Sequence, residues 1–113
     1  MSFFRNLFRP MADNRLTSAE FKSRLTDADV VLDVRTPAEY AEGHLVQARN
    51  IDVMNPTFVD HVQDLDKDKT YYLHCKSGGR SGKATEIMRG MGFDAYNVGG
   101  YADLVAAGFE SKQ

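Results

Sequence analysis

The chain has 113 residues, 42% of them hydrophobic, which suits one compact domain and leaves no room for a second. A net charge of −2 argues against a nucleic-acid surface, which would need a clustered excess of Lys and Arg. With a single cysteine the fold does not depend on an internal disulfide.

Residues 1–15 read as an N-terminal arm and residues 16–113 as the domain. In the arm, Phe3, Phe4, Leu7 and Phe8 fall at helical spacing with Arg5 and Arg9 between them. The run is too short and too interrupted for a signal peptide or a membrane span. One short helix with two arginines anchors weakly to a membrane, so an arm folded over the domain's own apolar surface is favoured over membrane contact. The absence of an export signal points to the cytoplasm.

The domain opens with Thr17 and Glu20, a capping-box pair, so a helix is predicted from Ser18 to about Thr26. Val30, Val31 and Leu32 form a continuous apolar run, as in a strand buried on both faces. Thr36, Pro37 and Glu39 start a second, short helix that Gly43 ends. "QARNIDV" reads as a short strand and "NPTFVDHVQDL" as a helix opened by Asn55 and Pro56. "TYYLHC" is the most strand-like stretch. A helix beginning near Arg80 or Ser81 follows, with Ala84, Ile87, Met88 and Met91 on one face. "FDAYNV" is a last strand and "GGYADLVAAGF" a turn and final helix. Alternating strands and helices imply an α/β domain with a central, mostly parallel sheet and helices on both faces.

The chemistry concentrates in "LHCKSGGRSG", residues 73–82. In open α/β sheets ligands bind beyond the carboxyl ends of the strands, where Cys75 sits. Gly78 and Gly79 let backbone N–H groups turn inward, the next helix adds its positive end, and Lys76 and Arg80 add full charges. A free cysteine has a pKa of about 8.5, and such surroundings bring it to roughly 3.5–7.5, so Cys75 is expected to be a thiolate nucleophile. The bland alternative is a small buried hydrophobe. Three histidines and one cysteine without close ligand spacing make no metal site. His74 should point away from the nucleophile by strand alternation and act structurally.

The pattern from Cys75 to Arg80 resembles the loop of cysteine-dependent phosphatases, but four residues separate the two here where that family has five. A shorter loop makes a tighter cradle, better suited to one sulfur atom than to a phosphate. "CKSGGRS" resembles the active-site loop of single-domain rhodaneses, the sulfurtransferases. "LDVRTPAEYAEGHL" is similar to another segment of that family through Asp33, Arg35, Glu39, Tyr40, Gly43 and His44. "ARNI" and "YNVGGYADLVAAG" resemble two more, so the likeness runs from about Leu16 to Gly108. Val46 and Gln47 stand where the family usually has Pro-Gly, and Leu104 where it usually has Trp.

The resemblance implies a rhodanese-like fold and a thiosulfate sulfurtransferase. Cys75 would take the outer sulfur of a thiosulfate-type donor as a persulfide, then yield it to cyanide or a thiol. The loop Lys76, Ser77, Gly78, Gly79, Arg80 and Ser81 would bind substrate, and Asp33 and Arg35 would support it by pairing and bracing. For Arg80 two roles stand level: a cation closing the loop, or a strut tied to a carboxylate. For Ser81, capping the helix is favoured over bonding the persulfide. No metal or organic cofactor is expected. The expected partners are a small-molecule sulfur donor and acceptor, possibly a protein thiol, with the chain a monomer. The competing functions are a phosphatase or arsenate reductase, and a non-catalytic protein-interaction module that retains its cysteine.

Overall fold

A computed structural model describes residues 14–113. The arm motif Phe3–Phe8 lies outside the described residues. Four parallel strands form the main sheet in the order β3-β1-β4-β5: β1 Val30–Asp33, β3 Ala48–Asn50, β4 Thr70–Cys75 and β5 Asp94–Gly100. Arg15, the last residue assigned to the arm, makes a parallel bridge to Asn97 and so extends the sheet beyond β5. The two-residue strands β2 (His44–Leu45) and β6 (Ser111–Lys112) pair antiparallel beside it.

Among the described residues five helices flank the strands: α1 Ser18–Arg24, α2 Pro37–Glu42, α3 Phe58–Gln63, α4 Gly79–Gly90 and α5 Tyr101–Ala106. Strand alternation sends side chains to two faces. Leu32, Tyr71, Leu73 and Cys75 pack with Phe58 and Val62 of α3 and Ala84 and Met88 of α4. Val31, Tyr72 and Val98 pack on the opposite face with Phe21 of α1 and Leu104 of α5. Leu104 is fully buried there. Val46 is exposed in the surface turn between β2 and β3, its N–H bonded to the Glu110 carbonyl.

Both predicted capping boxes form. Thr17 and Glu20 cap α1, and Thr36 and Glu39 cap α2, with Pro37 in its first turn. Several boundaries differ from the sequence reading: α3, read as opened by Asn55 and Pro56, starts at Phe58 after Thr57, and Gly99 and Gly100, read as a turn, belong to β5. α1 ends at Arg24, because Leu25 turns extended to reach the core. The strand read as "QARNIDV" is confined to Ala48–Asn50. Beyond it, Asp52 accepts the Met54 N–H and turns the chain, while Asn50 Nδ2 binds the Asp33 and Arg35 carbonyls. α4 starts at Gly79 rather than at Arg80 or Ser81, with Gly78 as its N-cap.

Candidate active site

β4 ends on Cys75, and the chain crosses directly to α4 through Lys76, Ser77 and Gly78. The turn is possible because Gly78 adopts φ of 100°, a left-handed conformation in which a side chain would be strained. Gly79 has ordinary backbone and open space around it, so of the pair only Gly78 needs to be glycine. A third glycine matters more than either. A Cβ on Gly100 would stand 2.5 Å from the Lys76 carbonyl oxygen, so the loop can lie against β5 only because this side chain is absent.

The loop closes around sulfur. The Gly78 N–H donates to Cys75 Sγ at 3.0 Å, and the Ser81 hydroxyl lies 3.4 Å from it. Burial pushes the thiol pKa up. The Ser81 hydroxyl and the N–H groups of Ser81, Ser77 and Gly78 pull it down by more, so the net shift is downward, towards thiolate. Cys75 is itself buried at 1% exposure, at the bottom of its cradle. Lys76 and Ser77 are exposed at the rim.

Arg80 resolves as the strut. Its two terminal nitrogens reach the two Glu39 oxygens at 2.7 and 2.9 Å. Hydrogen bonding from Arg80, opposed by partial burial and helped by the bonds from Thr36, holds the Glu39 carboxyl at about 2, well below its ordinary 4.5. One carboxylate thus caps α2 and anchors the loop after Cys75. Ser81 corrects the sequence reading. It is the third residue of α4 and does not cap it; its hydroxyl turns inward to Cys75 and Asn97.

Asp33 and Arg35 form a second, buried brace. Arg35 donates to both Asp33 oxygens, at 2.9 Å from Nε to Oδ1 and 2.7 Å from Nη2 to Oδ2. Nη2 also donates to the Gly43 carbonyl at 2.7 Å, and the guanidinium lies 4.5 Å from the centre of the Tyr101 ring. Arg35 faces a cleft of about 520 Å³ that Lys76, Glu42, Tyr101, Lys112 and Gln113 also line.

His74 points to the face opposite Cys75 and stacks on Tyr101. Its Nδ1 contacts the Cys75 carbonyl oxygen at 3.3 Å, while Nε2 has no hydrogen-bond partner and lies 3.8 Å from Asp33. Burial lowers its pKa against the pull of Asp33, which leaves it neutral at pH 7, on the face away from Cys75 Sγ. His44 braces α2, with Nδ1 at 2.8 Å from the Tyr40 carbonyl and its ring stacked on Tyr40.

Two residues at the cradle are not singled out in the sequence reading, although Asn97 lies in the segment "YNVGGYADLVAAG". Asn97 is buried on β5 against Gly78 and Ser81. The Arg15 guanidinium covers Gly78 and Gly99 from outside, 3.3 and 3.4 Å from where their Cβ atoms would be. Both come from segments remote from the loop, and only the order of strands in the sheet brings them to it.

The model of the rhodanese-like domain matches residues 17–107. The chain belongs to the rhodanese-like domain family. It is 32% identical over 90 residues to thiosulfate sulfurtransferase GlpE of Pseudomonas putida, covering 79% of this chain and 80% of that one. Uncharacterized protein YqhL of Bacillus subtilis is 35% identical over 86 residues, which span 75% of this chain and 66% of the relative. The crystal structure of a rhodanese-like domain protein from Staphylococcus aureus superposes with a TM-score of 0.71 at 32% identity, over 88% of this chain and 98% of that one. The fold expected from the motifs is therefore the fold of the family.

Proposed function

We propose that this rhodanese-like chain is a sulfurtransferase that carries sulfane sulfur on Cys75. The observation that carries the reading is the cradle: a buried Cys75 Sγ with the Gly78 N–H at 3.0 Å and the Ser81 hydroxyl at 3.4 Å. In the first step the thiolate attacks the outer sulfur of thiosulfate. The S–S bond of the donor breaks, its electron pair leaves with sulfite, and Cys75 becomes a persulfide anion. In the second, cyanide or a thiolate attacks the outer sulfur, and the Cys75 thiolate is regenerated with its electron pair. No electrons are gained or lost overall, so the chemistry asks for neither metal nor organic cofactor. The N–H groups of the loop act as an oxyanion hole does, on a larger and softer anion. The donor and acceptor are small molecules or a protein thiol that enter from the cleft beside Lys76.

A phosphatase would also need an acid free to protonate the leaving oxygen. Asp33 and Glu39, the carboxylates of the two braces, are each held by an arginine. Neither brace carboxylate is free for that role, and the loop one residue shorter than the phosphatase one adds to the case for sulfur over phosphate.

Intact mass spectrometry tests the proposal. Reduced protein incubated with thiosulfate should gain one sulfur atom, lose it when cyanide is added, and gain nothing as Cys75→Ala. Hydrolysis of a phosphate ester that disappears in Cys75→Ser, with no mass gain from thiosulfate, would replace this reading by the phosphatase one.

A further inference from the structure

Asn97 is 4% exposed, and both ends of its carboxamide are committed to the cradle. Nδ2 donates to the Gly78 carbonyl at 3.1 Å. Oδ1 accepts from the Gly99 N–H at 3.1 Å and from the Ser81 hydroxyl at 2.8 Å. These partners fix the orientation of the amide, since a reversed one would set donor against donor at Gly99 and acceptor against acceptor at Gly78.

The Ser81 hydroxyl lies between Asn97 and Cys75, yet it carries one hydrogen. It cannot donate to both. With Cys75 as a thiol, S–H donates to Ser81 Oγ, and Ser81 donates to Asn97. With Cys75 as a thiolate, the Ser81 hydrogen turns to sulfur, and Asn97 Oδ1 keeps the Gly99 N–H. Asn97 Nδ2 meanwhile steadies Gly78, whose N–H is the fixed donor to the same sulfur.

We infer that Asn97 is a positioning residue for the nucleophile: through Ser81 and Gly78 it aims two hydrogen-bond donors at Cys75 and takes back the Ser81 hydrogen when the sulfur is neutral. The inference rests on Cys75 being the sulfur-carrying nucleophile proposed above, and it names what orients the donors around that nucleophile. The charged and titratable groups around the cluster are Arg15 on the sheet edge, Lys76 in the loop, Arg80 with its partner Glu39, and His74 on β4. Asn97→Asp adds a carboxylate in direct contact with Ser81. It holds the Ser81 hydrogen more strongly and replaces the donor to Gly78 by a repelling oxygen.

The experiment is the pH dependence of Cys75 alkylation by iodoacetamide, in the full chain and in Asn97→Asp. The variant should titrate at least about one pH unit higher, so that its alkylation at a pH below the midpoint of the unaltered chain falls about tenfold. A folded Asn97→Asp with an unmoved midpoint overturns the inference. If that variant does not fold, NMR of the unaltered chain decides. The Asn97 side-chain amide resonances should move with the Cys75 titration and stay still in Cys75→Ala; resonances constant through the titration overturn the inference. Alkylation does not use thiosulfate, so the two proposals fail separately. A shifted midpoint without a mass gain removes the sulfur-transfer reading alone, and a mass gain with an unmoved midpoint removes the role of Asn97 alone.

Discussion

Two arginine–carboxylate pairs brace the mouth of the site, and they differ in burial. The side chains of Arg35 and Asp33 are 6% and 0% exposed; those of Arg80 and Glu39 are both 27% exposed. Both pairs are two-pronged, yet their tasks are unlike. The buried pair spans only two residues of sequence and fixes the loop after β1 by reaching the Gly43 carbonyl and the Tyr101 ring. The half-exposed pair spans 41 residues and ties α2 to the first turn of α4. The first holds the frame rigid; the second sets where the Cys75 loop sits on that frame. Burial makes the difference, because a buried charge without its partner is costly and an exposed one is resolvated.

Arg35→Met should therefore show the largest effect, a loss of about 3–5 kcal/mol in denaturant unfolding, since it strands the Asp33 carboxylate inside the protein. A loss no larger than that from Glu39→Gln would mean that the two pairs are equivalent and the contrast is empty. Glu39→Gln keeps a side chain able to cap α2 but removes the charge, and should cost about 1 kcal/mol near neutral pH after allowance for solvent screening. Its signature is the acid limb. A carboxyl lowered from 4.5 to about 2 binds fewer protons folded than unfolded, so its stabilisation is complete above about 4.5 and lost as pH falls towards 2. The unaltered chain should lose that stability across this window, and Glu39→Gln should lack that part of the slope. Glu20→Gln is the smallest change. Glu20 occupies the same box position in α1 as Glu39 does in α2, but its bonds are local to Thr17. Its unfolding midpoint should shift less than that of Glu39→Gln.

This last pair also shows how far sequence reading reaches. Thr17–Glu20 and Thr36–Glu39 are the same motif, and both helices were legible from it because capping acts within one turn. Nothing local distinguishes the Glu that also receives Arg80 from 41 residues away. The continuous apolar runs of β1 and β4 indicated a parallel sheet covered on both faces, and the loop between β4 and α4 was legible from its residue types. β2 and β6 were not, because two-residue strands show no periodicity. Ser81 read as a cap because hydroxyls at helix starts usually are; Gly78 holds that position instead, which frees the hydroxyl for sulfur. Asn97 and Arg15 reach the cradle only through the register of β5, and the skip at Val98, where Leu73 faces Asn97 and His74 faces Gly99, leaves no trace in the pattern of residue types.

The contact between Gly100 and the Lys76 carbonyl has a consequence for motion. Main chain lies on main chain there, with no side chain between to yield. The loop packs directly on the end of β5, so any outward movement would open a gap against bare main chain. Its amide hydrogens should exchange with solvent as slowly as those of the central strands, Gly78 included, and not as those of an ordinary surface turn.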